Sequence, residues 1–357
     1  MDPTLRGTVA KAAGGQTQMP RFSLREMRKP LLAEGPPFPS QAPDSYEPLR
    51  GEPVYDPGRH LATAKPGKIW HLADLGYDSD EIAQVASPVA ITTPFGLLSD
   101  EGVAAMHEVA LALRSQRTFG DRTAAYLAGG IYRSRFLRDF CACPVVAGFL
   151  SDIAGTRLLP HSMPSQQVYV NYAPEDIEKA VDTWHTDGIG FDIVIMISDP
   201  SSFEGGEFQF FRGTKLDAAR YLDARPEDLT ETHLNELPAN RVESVAFPAA
   251  GFAVFQHGAM VVHRANRLRR ASERITLVPG YVASDVRAND PTRDVVADWE
   301  EPGIRAEFAR HKAWCSRARL DALIRELPLD ADDETIRREL QWAIKDVETA
   351  LRTLQPK

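Results

Sequence analysis

The residues with the clearest chemical potential lie in Thr183-Trp184-His185-Thr186-Asp187-Gly188, just ahead of the apolar run Phe191 to Ile197. His185 and Asp187 are two residues apart, so on an extended strand both side chains leave by the same face. A neutral imidazole beside a carboxylate makes two-thirds of a facial metal site, the kind that holds Fe(II) and leaves open positions for other ligands. The third ligand should be a histidine far along the chain, brought back by a folded sheet. His263 is the first choice and His257, six residues upstream, is its rival.

A second residue type points the same way. Arg274 stands eleven residues after His263 and is followed by Ile275, Leu277 and Val278. An arginine buried among such neighbours is costly unless paired, and its planar fork suits a carboxylate. Beyond these, Arg264, Arg267, Arg269 and Arg270 follow His263, and Arg212 ends an earlier strand. They read either as a solvated basic turn or as partners for an anionic substrate group.

These residues must be positioned by strands. Val168, Val170 and Tyr172 alternate with Tyr169 and Asn171, and further short strands are predicted around His185 and at 191–198, 205–211, 244–247, 251–256, 260–263 and 274–282. Short strands separated by turn residues indicate a sandwich or barrel. Gly205 and Gly206 read as a turn or a close backbone approach, where a Cβ would obstruct. Residues 214–243 interrupt the strand rhythm as an insertion, with Leu216, Ala219 and Leu222 as its apolar stripe.

Ser99 followed by Asp100 and Glu101 predicts a capped helix carrying Val103, Met106, Ala110 and Leu113 on one face. A second helix is predicted over 143–153. Helices also follow the strands, at 304–327 and 333–354. The latter has Ile336, Leu340, Ile344, Val347, Leu351 and Leu354 on one side, a face for packing on the sheet or for a homodimer.

The order of parts is specific: His-x-Asp, an apolar strand, Gly-Gly-Glu-Phe, Phe247-Pro248-Ala249-Ala250-Gly251-Phe252, His263, then Arg274. Over about residues 165–283 it resembles the Fe(II)- and 2-oxoglutarate-dependent dioxygenase superfamily, including its prolyl-hydroxylase-like and phytanoyl-type members. That resemblance implies an α+β chain with a double-stranded β-helix (jelly-roll, cupin-like) core and flanking N- and C-terminal helices. It implies Fe(II) held by His185, Asp187 and His263, favouring His263 over His257, with 2-oxoglutarate on Arg274 and O2 as the oxidant. Tyr172 sits where prolyl-hydroxylase-like members have a strand aromatic, with Asn171 beside it; Tyr169 or Asn171 offers the cosubstrate an inward polar group, and core packing is the other reading of the tyrosines. Trp184, Arg212, Arg264 and His257 are substrate-side candidates.

Members of the family that halogenate replace the carboxylate with a small residue, leaving space for chloride. Asp187 therefore implies hydroxylation or a related oxidation of a C–H bond, with release of succinate and CO2. The expected substrate is a small molecule, an amino acid or specialised metabolite. The alternatives are a jelly-roll metalloenzyme that does not use 2-oxoglutarate and a dioxygenase acting on a protein side chain.

Composition sets the remaining bounds. The 357 residues divide into a Pro-rich arm (1–65, with ten of the 26 prolines), a helical support (66–164), the jelly-roll core with its insertion (165–283) and C-terminal helices (284–357), forming one catalytic domain. The hydrophobic share of 43% and charged share of 25% are those of a globular chain. A net charge of −9 argues against nucleic-acid binding. No apolar run of about 18 residues predicts a membrane span and no signal pattern opens the chain, so a cytoplasmic protein is expected. Cys141, Cys143 and Cys315 read as buried free thiols.

Overall fold

A computed structural model describes residues 35, 38–43, 46–226, 229, 236–293 and 301–354. Its thirteen strands are β1 (Ile69–His71), β2 (Val89–Thr92), β3 (Phe95–Gly96), β4 (Tyr126–Leu127), β5 (Leu158–Pro160), β6 (Val168–Tyr172), β7 (Ala180–His185), β8 (Phe191–Met196), β9 (Phe208–Phe211), β10 (Val242–Val245), β11 (Phe252–Gln256), β12 (His263–Arg267) and β13 (Ile275–Ala283). The helices are α1 (Pro57–His60), α2 (Ser79–Ala83), α3 (Asp100–Leu113), α4 (Gly130–Arg133), α5 (Arg135–Cys141), α6 (Pro144–Ala154), α7 (Lys215–Leu222), α8 (Ile304–Glu326) and α9 (Asp333–Thr353).

Two antiparallel sheets face each other as a jelly roll. The larger runs β1-β2-β11-β8-β13-β6-β4, with β3 on β11 and β5 on β13; the smaller runs β10-β9-β12-β7. Strand parity sorts the side chains of the larger sheet into two environments. Val168, Val170, Tyr172, Phe191, Ile193, Ile195, Ala253, Phe255, Ile275 and Leu277 pack outward under α3, α5 and α6 in the main core. Their neighbours Tyr169, Asn171, Asp192, Val194, Gln256, Thr276 and Val278 turn to the inter-sheet space and line a cleft there. A period of two thus separates an apolar face from a polar one on the same strands.

The helices form where their caps allow. Ser99 accepts a hydrogen bond from Gly102 N at the start of α3, and Thr214 accepts one from Asp217 N at the start of α7. The first strands arise within 66–164, so the sheet recruits a region that reads as helical support from the sequence. The insertion packs Ala218, Ala219 and Leu222 with Trp184, Phe211 and Val262, while Leu216 is exposed. Glu52 of the N-terminal arm accepts from the Arg135 and Phe136 amides of α5; the arm before residue 35 lies outside the described residues.

α9 buries Thr335, Glu339, Trp342, Ala343, Asp346 and Ala350, because Asp346 must meet Arg319 and Lys312 of α8. Its apolar stripe of Leu340, Ile344, Val347, Leu351 and Leu354 therefore faces outward. All three cysteines are free and buried. No helix among the described residues is long and apolar enough to cross a membrane.

Candidate metal and cosubstrate site

β7 and β12 pair so that His185 lies directly opposite His263, and the two rings come within 4.2 Å, centroid to centroid. His185 Nδ1 donates to Thr183 O at 2.6 Å and His263 Nδ1 to Val261 O at 3.0 Å. Each backbone carbonyl thereby fixes the tautomer and leaves Nε2 as the bare nitrogen. Those two nitrogens flank Asp187: His185 Nε2 is 3.4 Å from Oδ1 and His263 Nε2 is 3.4 Å from Oδ2. All three donors lie within 4.8 Å of one another. The sequence order His-x-Asp then distal His becomes one facial donor set.

Electrostatics suit a cation. Burial, and the neighbouring His185, push His263 down to about 4, so the ring is neutral and offers a lone pair at ordinary pH. Burial works against the charge on Asp187, yet the flanking imidazoles, His263 foremost, hold its carboxyl below the usual carboxylate range. Beside it, Asp192 is pushed well up by burial and by the charge of Asp187.

The opposite wall of the cleft carries a buried arginine. Arg274 is 1% exposed, and its Nε donates to Gly206 O at 2.9 Å. Gly205 and Gly206 both adopt positive φ, and a Cβ on Gly206 would lie 2.8 Å from Arg274 Cδ. The glycines are thus needed for the close approach that pins the guanidinium. Nη1 of Arg274 is buried without a partner. A buried cationic donor left unsatisfied is a costly arrangement that a carboxylate ligand would relieve. Burial lowers its affinity for the proton to about 10, which still leaves it charged. Thr276, Tyr169 and Asn171 line the same cleft.

The other sequence candidates divide. Arg264 reaches the cleft, held by Gln209 and Glu236 and lying over the Trp184 ring. Trp184 points to the other side of β7, where it packs with α7 and donates to Glu236. Tyr172 is a correction: it alternates with Asn171, so its ring joins the main core and its hydroxyl donates to Ala110 O. Arg212 donates to Asn240 O at the surface and His257 lines a separate cavity, so neither reaches this cleft.

Sequence reasoning missed Arg122, Asp182, Asp192, Gln256 and Arg293, all lining the cleft. Arg293 donates to Thr186 O, between the two ligands of β7 and its turn. Asp192 carried a usable signal. A charged residue inside the apolar run Phe191–Met196 needs a buried polar partner, and that partner is Gln256.

A second cluster, Asp290, His311 and Cys315, also gathers donors within 4.8 Å. Lys312 already stands in it, with Nζ 2.5 Å from Asp290 Oδ2.

The jelly roll thus presents two imidazoles and a carboxylate on one face, opposite a buried arginine, the arrangement that the sequence's resemblance to the Fe(II)- and 2-oxoglutarate-dependent dioxygenases implies. The donor set fits Fe(II), and the orphaned Arg274 nitrogen fits the far carboxylate of 2-oxoglutarate.

Comparison with known proteins gives the following. A family model described as Halogenase D (HalD) matches residues 129–301, just under half of the chain. The solved structures similar to the chain include the non-heme alpha-ketoglutarate-dependent epimerase SnoN from nogalamycin biosynthesis, at 18% identity and a TM-score of 0.41, covering 59% of this chain and 84% of that one. A Pseudomonas putida prolyl-4-hydroxylase is similar at 12% identity and 0.35, covering 59% and 98%. A 2OG-Fe(II) oxygenase family member from Burkholderia pseudomallei is similar at 20% identity and 0.28, covering 44% and 58%. A search of curated protein sequences finds no match.

Proposed function

We propose that the protein is an Fe(II)- and 2-oxoglutarate-dependent oxygenase that hydroxylates, or otherwise oxidises, a C–H bond of a small polar molecule, releasing succinate and CO2. The observation that carries this reading is the pairing of two bare Nε2 atoms and Asp187 with the unpartnered Arg274 nitrogen across one cleft. When bound, the iron and its cosubstrate supply the oxidising chemistry.

The chain's own residues bind, orient and exclude. Arg274, fixed by Gly206 O, receives the C5 carboxylate, and Thr276 beside it offers a hydroxyl. The backbone carbonyls of Thr183 and Val261 keep both imidazoles facing the metal. Asp187 fills the position that a halide would need, so oxygen transfer is favoured over the halogen transfer named in the HalD description. Arg122, Arg264, Arg293 and Asp182 also line the cleft. That mixture of charges favours a zwitterionic or anionic metabolite over an apolar one.

The test is succinate formation by iron-loaded protein. Arg274→Ala should weaken 2-oxoglutarate binding by about 2–5 kcal/mol, the usual cost of truncating one partner of a buried charge pair, with metal affinity unchanged. A parent protein that neither binds 2-oxoglutarate nor forms succinate would overturn the reading in favour of a jelly-roll metal site without that cosubstrate.

A further inference from the structure

Asp187 does not stand alone between the two histidines. Gln256, at the end of β11, places its Nε2 3.3 Å from Asp187 Oδ2, 2.9 Å from Asp192 Oδ1 and 3.1 Å from His263 Nε2. Asp192 comes from β8, next to β11 in the larger sheet, and the register sets Gln256 directly opposite it. The two carboxylates converge at Gly258, where a Cβ would lie 2.3 Å from Asp192 Oδ2 and 2.6 Å from Asp187 Oδ2. Gly258 also accepts the Asp187 amide at 2.9 Å. A side chain at 258 would therefore collide with both acids.

Counting donors makes the arrangement informative. A primary amide has two N–H bonds, and here three acceptors surround it. A metal ion on His263 Nε2 takes that lone pair away and leaves two N–H bonds for two carboxylate oxygens. The opposite amide orientation would aim Oε1 at the ionised Asp187, so the nitrogen faces it. The count closes only when the third acceptor is engaged elsewhere.

We propose that Gln256 and Asp192 are positioning residues for the metal-binding carboxylate. Gln256 occupies Asp187 Oδ2 and is itself anchored by Asp192, so Asp187 meets the ion through Oδ1 alone. One-oxygen ligation keeps coordination positions free for cosubstrate and oxygen; an unrestrained carboxylate would swing to use both oxygens and close one of them. The role belongs to the large sheet, which holds Asp192 and Gln256 by strand register, whereas the ligands it steadies come from the small sheet and its turn.

The inference rests on the metal-site reading, and Co(II) substitution separates the two. Gln256→Met keeps length and bulk while removing both donors. It should weaken Co(II) binding by about 10–100-fold, the range typical of residues that orient metal ligands, and change the intensity of the visible Co(II) bands, which reports coordination number. The thermal midpoint of the metal-free protein should stay near that of the parent. Asp192→Asn, which keeps an oxygen for the Gln256 amide, should lose less affinity than Asp192→Ala. If Gln256→Met does not fold, the Asp192 pair carries the test. Parent-like Co(II) affinity and spectrum in folded Gln256→Met, or equal losses in the two Asp192 variants, would overturn the proposal. A parent protein that binds no Co(II) would instead overturn the metal site itself.

Discussion

Two clusters among the described residues bring three metal-competent donors within the same 4.8 Å limit, yet they are opposites in charge balance. At His185, Asp187 and His263 the carboxylate is flanked by two imidazoles, a second acid and an amide, and the cleft's arginines stand behind them, Arg293 on Thr186 O and Arg122 3.9 Å from Asp182. At Asp290, His311 and Cys315 the ammonium of Lys312 contacts Asp290 Oδ2 and lies 3.4 Å from Asp346 Oδ1, and Arg319 pairs with Asp346. Two acids and two cations balance there. His311 is also engaged on both nitrogens, by Asp290 and by Ser162. Donor proximity alone does not make a metal site; a deficit of positive charge facing bare lone pairs does.

The most severe way to probe that contrast removes a ligand from each cluster. Asp187→Ala should abolish stoichiometric Fe(II) or Co(II) binding, with an affinity loss exceeding the 10–100-fold of an orienting residue, and should end succinate formation. Cys315→Ala should leave binding by equilibrium dialysis unchanged at one ion per chain. Two ions in the parent, or one lost from the Cys315 variant, would erase the distinction.

Lys312 offers the reverse experiment. Replacing it by methionine strips Asp290 and Asp346 of a buried cation, at a cost of about 3–5 kcal/mol. The vacated space would then hold Asp290, His311 and Cys315 with nothing to neutralise them. Co(II) or Zn(II) should raise the melting temperature of Lys312→Met at this cluster in an Asp187→Ala background, where the first site is disabled. In the Asp187→Ala single variant the same ions should have no effect. A metal response that ignores Lys312 would mean that the lysine is not what closes the second cluster.

The first cluster was legible in the sequence because its parts are ordered along the chain and fixed by strand spacing: His185-x-Asp187, His263, then Arg274. The second was not, since Asp290 comes from a loop and its partners from α8, and no local pattern announces Lys312 as the balancing charge. Parity explains the mistakes near the site. Asn171 and Tyr172 are adjacent on β6 and cannot both face the cleft; likewise Trp184 cannot share the face of His185 on β7. For α9 the apolar period was read correctly, and the sequence left open whether that face packs on the sheet or forms a homodimer surface. Pairing of Arg319 and Lys312 with Asp346 overrode the apolar stripe and turned it outward. Gln256 went unnoticed because an amide at the end of an apolar strand carries no signal until Asp192 is seen opposite it.

The smallest expected effect lies where the two clusters adjoin. His257 follows Gln256 in sequence, but its ring lines a cavity shared with Asp290, Cys315 and Arg319. Unlike His263 and His311, it has no partner on either nitrogen and is 1% exposed. Burial, with the positive charge of Lys215 adding to it, pushes the imidazole down to about 3. An unfolded chain binds the proton near pH 6.5, so between about 6.5 and 3 the unfolded state holds one proton that the folded state refuses. The contribution of His257 to stability is therefore complete above pH 6.5 and declines as pH falls through that window, by up to about 1.4 kcal/mol per pH unit. His257→Gln, which cannot take up the proton, should flatten the slope of urea-unfolding free energy against pH by one proton, a gain of about 2 kcal/mol relative to the parent at pH 5 once both are matched at pH 7.5. Equal slopes in the two proteins would mean that the cavity accommodates the charged ring, and that His257 belongs with the satisfied histidines of the second cluster.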